Sequence, residues 1–203
     1  MNRNYFILTI IIFILAGGTL FLHNKPEKQP ASPKELLWDI TQPTRYMSTD
    51  QVANLIIQKN PTLELIDVRS PKEYSQFTLP NAINVPLDSL ASSSSLQYFG
   101  IPGTKVILFS NDDILSDQAW VLLRRQGFKG NYVMKGGLNL WMNTIINPKA
   151  PAETSPETAI EQYHFREGAR LYFTGAKVEA TATSKPKIEV RRRKKAAAVS
   201  GGC

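Results

Sequence analysis

Cysteine is almost missing from this chain: among 203 residues only Cys203, at the C-terminal end, carries a thiol. One cysteine excludes an intramolecular disulfide, so the core cannot rely on a covalent staple. It leaves three roles for the thiol: free, bridged to another chain, or none. Histidine is nearly as scarce, with His23 and His164 alone. Unbalanced charge is also lacking where a core is expected. Residues 45–147 hold nine Lys/Arg against eight Asp/Glu. The formal charge of +7 therefore arises elsewhere, chiefly in KPKIEVRRRKK (185–195), where seven basic residues face Glu189. Such a run, set in an Ala/Gly-rich end, reads as an unfolded basic tail suited to anionic lipid or an acidic partner, or as a merely solvated end. No nucleic-acid partner and no cofactor is expected.

Turning to what is present, YFILTIIIFILAGGTLFL (5–22) runs eighteen residues without a charge. At the helical rise this is about 27 Å, close to the hydrocarbon thickness of a bilayer. A cleaved secretory signal is the alternative, but the apolar run is long for one and no small-x-small site precedes a polar start. The expectation is one uncleaved transmembrane helix. Arg3 lies on one side of it and Lys25, Lys28 and Lys34 on the other, which leans toward a cytoplasmic body. Short N-terminal anchors, however, commonly export the domain attached to them. The two arguments nearly balance, with a slight lean to an extracytoplasmic domain.

The remainder divides into a proline-containing tether (23–44), a domain (45–147), a linker and helix (148–175) and a low-complexity basic tail (176–203) ending in Gly-Gly-Cys. ELLWDI reads as a short helix that caps the domain. Ser48 and Gln51 form a capping box ahead of an amphipathic run. LELIDV, INVPL, TKVILFS and NYVM are short apolar strands. PKEYSQF, with proline in its first turn, is a short helix. SDQAWVLLRRQGF is a helix with Ser116 as N-cap and Gly127 at its end. Gly136-Gly137 leads into LNLWMNTI. Strands alternating with helices specify an α/β fold, a parallel sheet with helices on both faces. Ligands of such sheets bind beyond the strand carboxyl ends, which points to FSNDDILSDQAW (109–120). There, backbone amides and a helix N-terminus favour an anion.

LIDVRSPKEYSQFTLPNAINVPL, KVILFS and AWVLLRRQGFKGNYVMKGGLNLW, in this order over about one hundred residues, resemble the rhodanese-like sulfurtransferase domain. Members of that family carry a cysteine at the start of a six-residue loop and hold a sulfane sulfur on it as a persulfide. With Ser116 as helix cap, the resemblance places this loop at Ser110, Asn111, Asp112, Asp113, Ile114 and Leu115. Ser110 then stands at the cysteine position, and Thr78 stands where members often have histidine. A serine hydroxyl cannot form a persulfide, and its pKa lies far above a thiol's. Asp112 and Asp113 repel thiosulfate or any related anion. The resemblance assigns Asp67 and Arg69 to tying loops together.

Other constellations are weaker. Trp120 and Trp141 fall at apolar helical spacing and belong to the core. Asp112, Asp113 and Asp117 could gather about a hard cation such as calcium, but no metal is expected. ETAIEQYHFREGARLYF reads as a helix capped by Ser155, with Ile160, His164 and Leu171 on one face, Tyr163, Ala169 and Phe173 flanking it, and Gly175 ending it. In the tail, two glycines give the Cys203 thiol reach, and the basic run favours its thiolate.

The reading that results is a membrane-anchored, catalytically degenerate rhodanese-like module that binds or scaffolds, with a membrane surface or a sulfur-handling protein as partner. The alternative is a sulfur-relay carrier in which Cys203 accepts sulfane sulfur from a partner sulfurtransferase. A phosphatase-like site in the same loop is the third and weakest reading.

Overall fold

The computed structural model describes residues 3–22 and 29–175, with side chains of the first stretch given for residues 4–17. The basic tail, Cys203 and His23 lie outside the described residues. Helix α1 covers Arg3–Leu22 and α2 covers Pro33–Thr41. A 3-10 turn, Pro43–Arg45, leads into strand β1, Tyr46–Met47. There follow α3 (Thr49–Ile57), β2 (Leu63–Asp67), α4 (Pro71–Gln76) and β3 (Ile83–Asn84). A second 3-10 turn (Leu87–Ser89) precedes α5 (Ser93–Leu96), β4 (Lys105–Phe109) and α6 (Ile114–Arg125). The chain closes with β5 (Asn131–Met134), α7 (Gly137–Trp141), a π-helical turn (Met142–Ile146) and α8 (Glu157–Thr174).

Three helices start in the same way. Ser32, Ser48 and Ser70 each accept a hydrogen bond from the third helical amide, while Glu35, Gln51 and Glu73 reach back to the serine amide. Each pair satisfies two donors that the helix cannot satisfy internally. The capping boxes set the starts of α2, α3 and α4 from local sequence alone.

The five strands form one wholly parallel sheet in the order β1-β5-β4-β2-β3. Along central β4, side chains alternate between two apolar clusters. Ile107 and Phe109 join Val52, Leu138 and Trp141 under α3, α7 and α8. Val106 and Leu108 join Trp120 and Leu123 under α6. All four β4 residues are essentially sealed from solvent. Burial of each such side chain is worth about 1.5–3 kcal/mol, so the middle of the sheet is its firmest part. Trp120 and Trp141 are buried in this core, and Trp120 Nε1 donates to the Asn131 carbonyl at 2.9 Å.

Several expectations are corrected. INVPL contributes only Ile83–Asn84 to the sheet; beyond it Val85 N and Leu87 N still donate to the Asp67 and Val68 carbonyls, at 2.9 and 3.1 Å, as the chain enters the 3-10 turn at Leu87. Helix α6 starts at Ile114 with Asp113 as cap residue, and Ser116 is buried inside its first turn. The reason is Asp112, whose Oδ1 accepts from Ile114 N at 2.9 Å and starts the turn early. In α8 the cap residue is Pro156, without a side-chain bond, not Ser155. Its packed face is Phe165, Ala169 and Phe173, a true i, i+4, i+8 stripe; His164 is exposed.

Within the segment 148–175, expected as linker and helix, α8 packs onto the domain. Phe173 meets Trp141 edge-on with ring centroids 5.0 Å apart, and Arg166 bonds both Asp50 carboxylate oxygens. Helix α8 therefore closes one face of the sheet beyond the expected boundary at 147. Among the described residues no helix is long and apolar enough to cross a membrane.

Candidate functional site

In the sheet, Asp67 at the end of β2 lies in register with Phe109 at the end of β4. The candidate loop follows directly, at the carboxyl edge where a parallel sheet offers its ligand site. Because α6 begins early, the six residues expected as loop divide in two. Ser110, Asn111, Asp112 and Asp113 form the turn, while Ile114 and Leu115 already belong to the helix.

Ser110 has no exposure to solvent. Its hydroxyl donates to the Asp112 carbonyl at 2.5 Å and approaches Ser116 Oγ at 3.4 Å. Neither partner accepts a proton at neutral pH, whereas an activated serine needs a base. Ser116 in turn donates toward the Asp112 and Asp113 carbonyls, at 3.2 Å each. The hydroxyls thus fasten the turn from inside.

The loop is clamped from above by Gly136 and Gly137, whose φ values are +72° and +54°. This left-handed pair turns the chain into α7 so that Leu138 N donates to the Ser110 carbonyl at 2.8 Å and Asn139 N to Asn111 at 2.9 Å. A Cβ at Gly137 would lie 2.5 Å from the Ser110 carbonyl oxygen and 2.7 Å from Asp112 N. Only glycine fits there.

The aspartates occupy backbone donors. Asp112 takes Ile114 N, and Asp113 Oδ1 accepts from Gly136 N at 2.5 Å. Two backbone donors at the loop are thus engaged by the chain's own carboxylates. An incoming anion also meets their charge, a repulsion of about 1 kcal/mol per pair at 4 Å in water and more where water is thinned out. Asp117 faces away, accepting from Tyr46 Oη at 2.9 Å and pairing with Arg45 at 3.1 Å. The three aspartates do not converge, and among the described residues no group of three or more His, Cys, Asp or Glu could hold a metal ion.

Below the loop lies a buried ion pair. Arg69 donates through Nε to Asp67 Oδ1 at 2.9 Å and through NH2 to Oδ2 at 2.6 Å. The same guanidinium donates to the Phe77 carbonyl at 2.5 Å and to Asn111 Oδ1 at 2.9 Å. Thr78, at the position the resemblance associates with histidine, donates its hydroxyl to Asp67 Oδ2 at 2.9 Å. One residue here, Glu73, escaped the sequence reading, and Asn111 of the expected loop is its partner. Asn111 Nδ2 donates to Glu73 Oε1 at 2.8 Å, so Asn111 joins Arg69 to α4. Hydrogen bonds from Ser70, then from Asn111, hold the Glu73 carboxyl below the usual carboxylate value. The only local signal for Glu73 was its capping box with Ser70.

Comparison with known proteins agrees with this geometry in extent. Residues 48–144 match the model of the rhodanese-like domain family. The chain is 27% identical over 112 residues to the mitochondrial thiosulfate sulfurtransferase RDL2 of Saccharomyces cerevisiae, covering 50% of this chain and 75% of that one. It is 28% identical over 134 residues to a probable molybdopterin-synthase adenylyltransferase of Porphyra purpurea, covering 64% of this chain but 33% of that one. The crystal structure of yeast RDL2 aligns at 24% identity and a TM-score of 0.42, covering 50% of this chain and 91% of that chain. Residues 48–144 of this chain form a rhodanese-like domain, related to sulfurtransferases.

Proposed function

We propose that the protein is a membrane-anchored, catalytically degenerate rhodanese-like module that binds or scaffolds in sulfur metabolism. The observation that carries this reading is Ser110. It is sealed from solvent, gives its hydroxyl to the Asp112 carbonyl and has no base beside it. Neighbouring Asp112 and Asp113 occupy backbone amides and oppose an anionic sulfur donor. That one domain type lies within proteins named for two different activities argues that function is set by the site and its attachments, not by the fold.

Support for anchoring comes from the uncharged run 5–22 and from α1, whose described apolar side chains face outward on every side, Tyr5 66% exposed and Phe13 74%. A helix apolar all round has no face to turn toward water. The tail basic run is assigned to anionic lipid or a sulfur-handling partner by charge.

The test is thiosulfate:cyanide sulfurtransferase turnover by the full chain in detergent. We expect none above a Ser110→Ala control; turnover above that control overturns the reading. Ser110→Cys alone is expected to stay inactive, while Ser110→Cys with Asp112→Asn and Asp113→Asn regains measurable sulfur transfer.

A second reading keeps Cys203 as a sulfur carrier, favoured by its being the sole thiol, on two glycines beside seven basic residues. Its thiolate would attack the outer sulfur of a donor persulfide, forming Cys203–S–S⁻ and releasing the donor as thiolate. Intact mass after donor treatment decides: one added sulfur that is absent in Cys203→Ser supports the carrier, and an unchanged mass rejects it.

A further inference from the structure

Helix α2 is attached to the domain by very little. Leu36 packs against the α6-side cluster, and Arg124 on α6 pairs with Asp39. Leu37 and Trp38 turn away from these contacts, each 67% exposed, and Ile40 beside Leu36 is 37% exposed. A nine-residue helix that leaves its two largest apolar side chains in the open has an unpartnered face. A shallow groove of about 940 Å³ opens beside it, bordered by Lys34, Trp38 and Arg124 among others.

We propose that this face of α2 lies in the interface of the lipid bilayer, with Trp38 and Leu37 at the headgroup–acyl boundary. The inference rests on the anchoring reading, and three observations choose lipid as the occupant. Helix α1 ends at Leu22 and α2 begins at Pro33. Eleven peptide steps reach at most about 40 Å, so α2 is held near whatever surface receives the apolar run. Tryptophan flanked by apolar residues is the residue type that settles at such boundaries. At the rim Lys34 and Arg124 are offset by Glu35 and Asp39, and Lys129, near enough to Glu35 to act on its carboxyl, is the cation in excess. Lys25 and Lys28 sit in the intervening segment. Cations around an apolar patch fit a surface containing anionic lipid.

Of the three tryptophans, Trp120 and Trp141 are buried and only Trp38 is exposed, so its emission can be read separately. The full chain is reconstituted in phosphatidylcholine/phosphatidylglycerol vesicles, with and without acyl-brominated phosphatidylcholine, and floated on a density gradient. We expect co-flotation and about a twofold loss of the Trp38 emission in brominated vesicles, absent from Trp38→Phe. Leu37→Ser is expected to reduce the quenching while leaving flotation intact. Co-flotation with unquenched Trp38 overturns the docking inference and assigns the face to a protein partner, leaving the anchor standing. A chain that does not float overturns the anchor, and the docking with it.

Discussion

Arg69 has its donors on Asp67, on the Phe77 carbonyl and on Asn111, all in a setting with almost no solvent. Removing such a cation leaves a carboxylate buried and unpaired. Arg69→Ala is therefore expected to lower stability by about 3–5 kcal/mol, read from urea denaturation; a change under about 1 kcal/mol would contradict the assignment. Lysine is expected to be a poor replacement, because it lacks the planar fork. Gly137→Ala is expected to cost more than about 1 kcal/mol, from the left-handed backbone and the contact with Ser110. The Asp67–Arg69 pair was legible in LIDVR, and so was the exceptional serine. The Asn111–Glu73 bond was not, since it joins residues thirty-eight positions apart and arises from how two elements meet.

Among the elements, α3 was readable at once from Ser48 and Gln51, because a capping box is satisfied within four residues; the same box at Ser32–Glu35 and Ser70–Glu73 went unread. The start of α6 was not readable. Ser116 has the chemistry of a cap, but Asp112 reaches Ile114 N first and Ser116 is drawn inside. The packed face of α8 was misjudged for a tertiary reason: Trp141 and the α3 helix select Phe165, Ala169 and Phe173 over the equally spaced His164 and Leu171. Phe173→Ala is expected to destabilise the domain by about 2 kcal/mol, and a fragment ending at residue 147 to melt at lower temperature than one ending at 175. Equal melting temperatures would mean that α8 is an ornament, not part of the folding unit.

For the whole molecule, pH acts from two sides. Ser70 hydrogen bonds, then Asn111, lower the Glu73 carboxyl; Ser32 hydrogen bonds, with Arg124 and Lys129 as weaker causes, lower that of Glu35. A lowered carboxyl contributes stability that is present above its ordinary value of 4.5 and is lost as pH falls through the folded value. At the alkaline end, burial and the bond to Asp117 push the Tyr46 phenol up to about 12 from 10.0. The folded state thus holds that proton where the unfolded chain has lost it. Stability associated with Tyr46 is complete below pH 10.0 and disappears toward about 12. Denaturation midpoints across this window should fall more steeply for the native sequence than for Tyr46→Phe; parallel curves would disprove the role.

The glycine clamp of Gly136 and Gly137 has a consequence for position 110. It brings Leu138 N and Asn139 N onto the carbonyls of Ser110 and Asn111. This hold on the loop backbone is separate from the bond by which the Ser110 hydroxyl fastens the turn from inside. A substitution at position 110 therefore leaves both of these backbone bonds available to the loop.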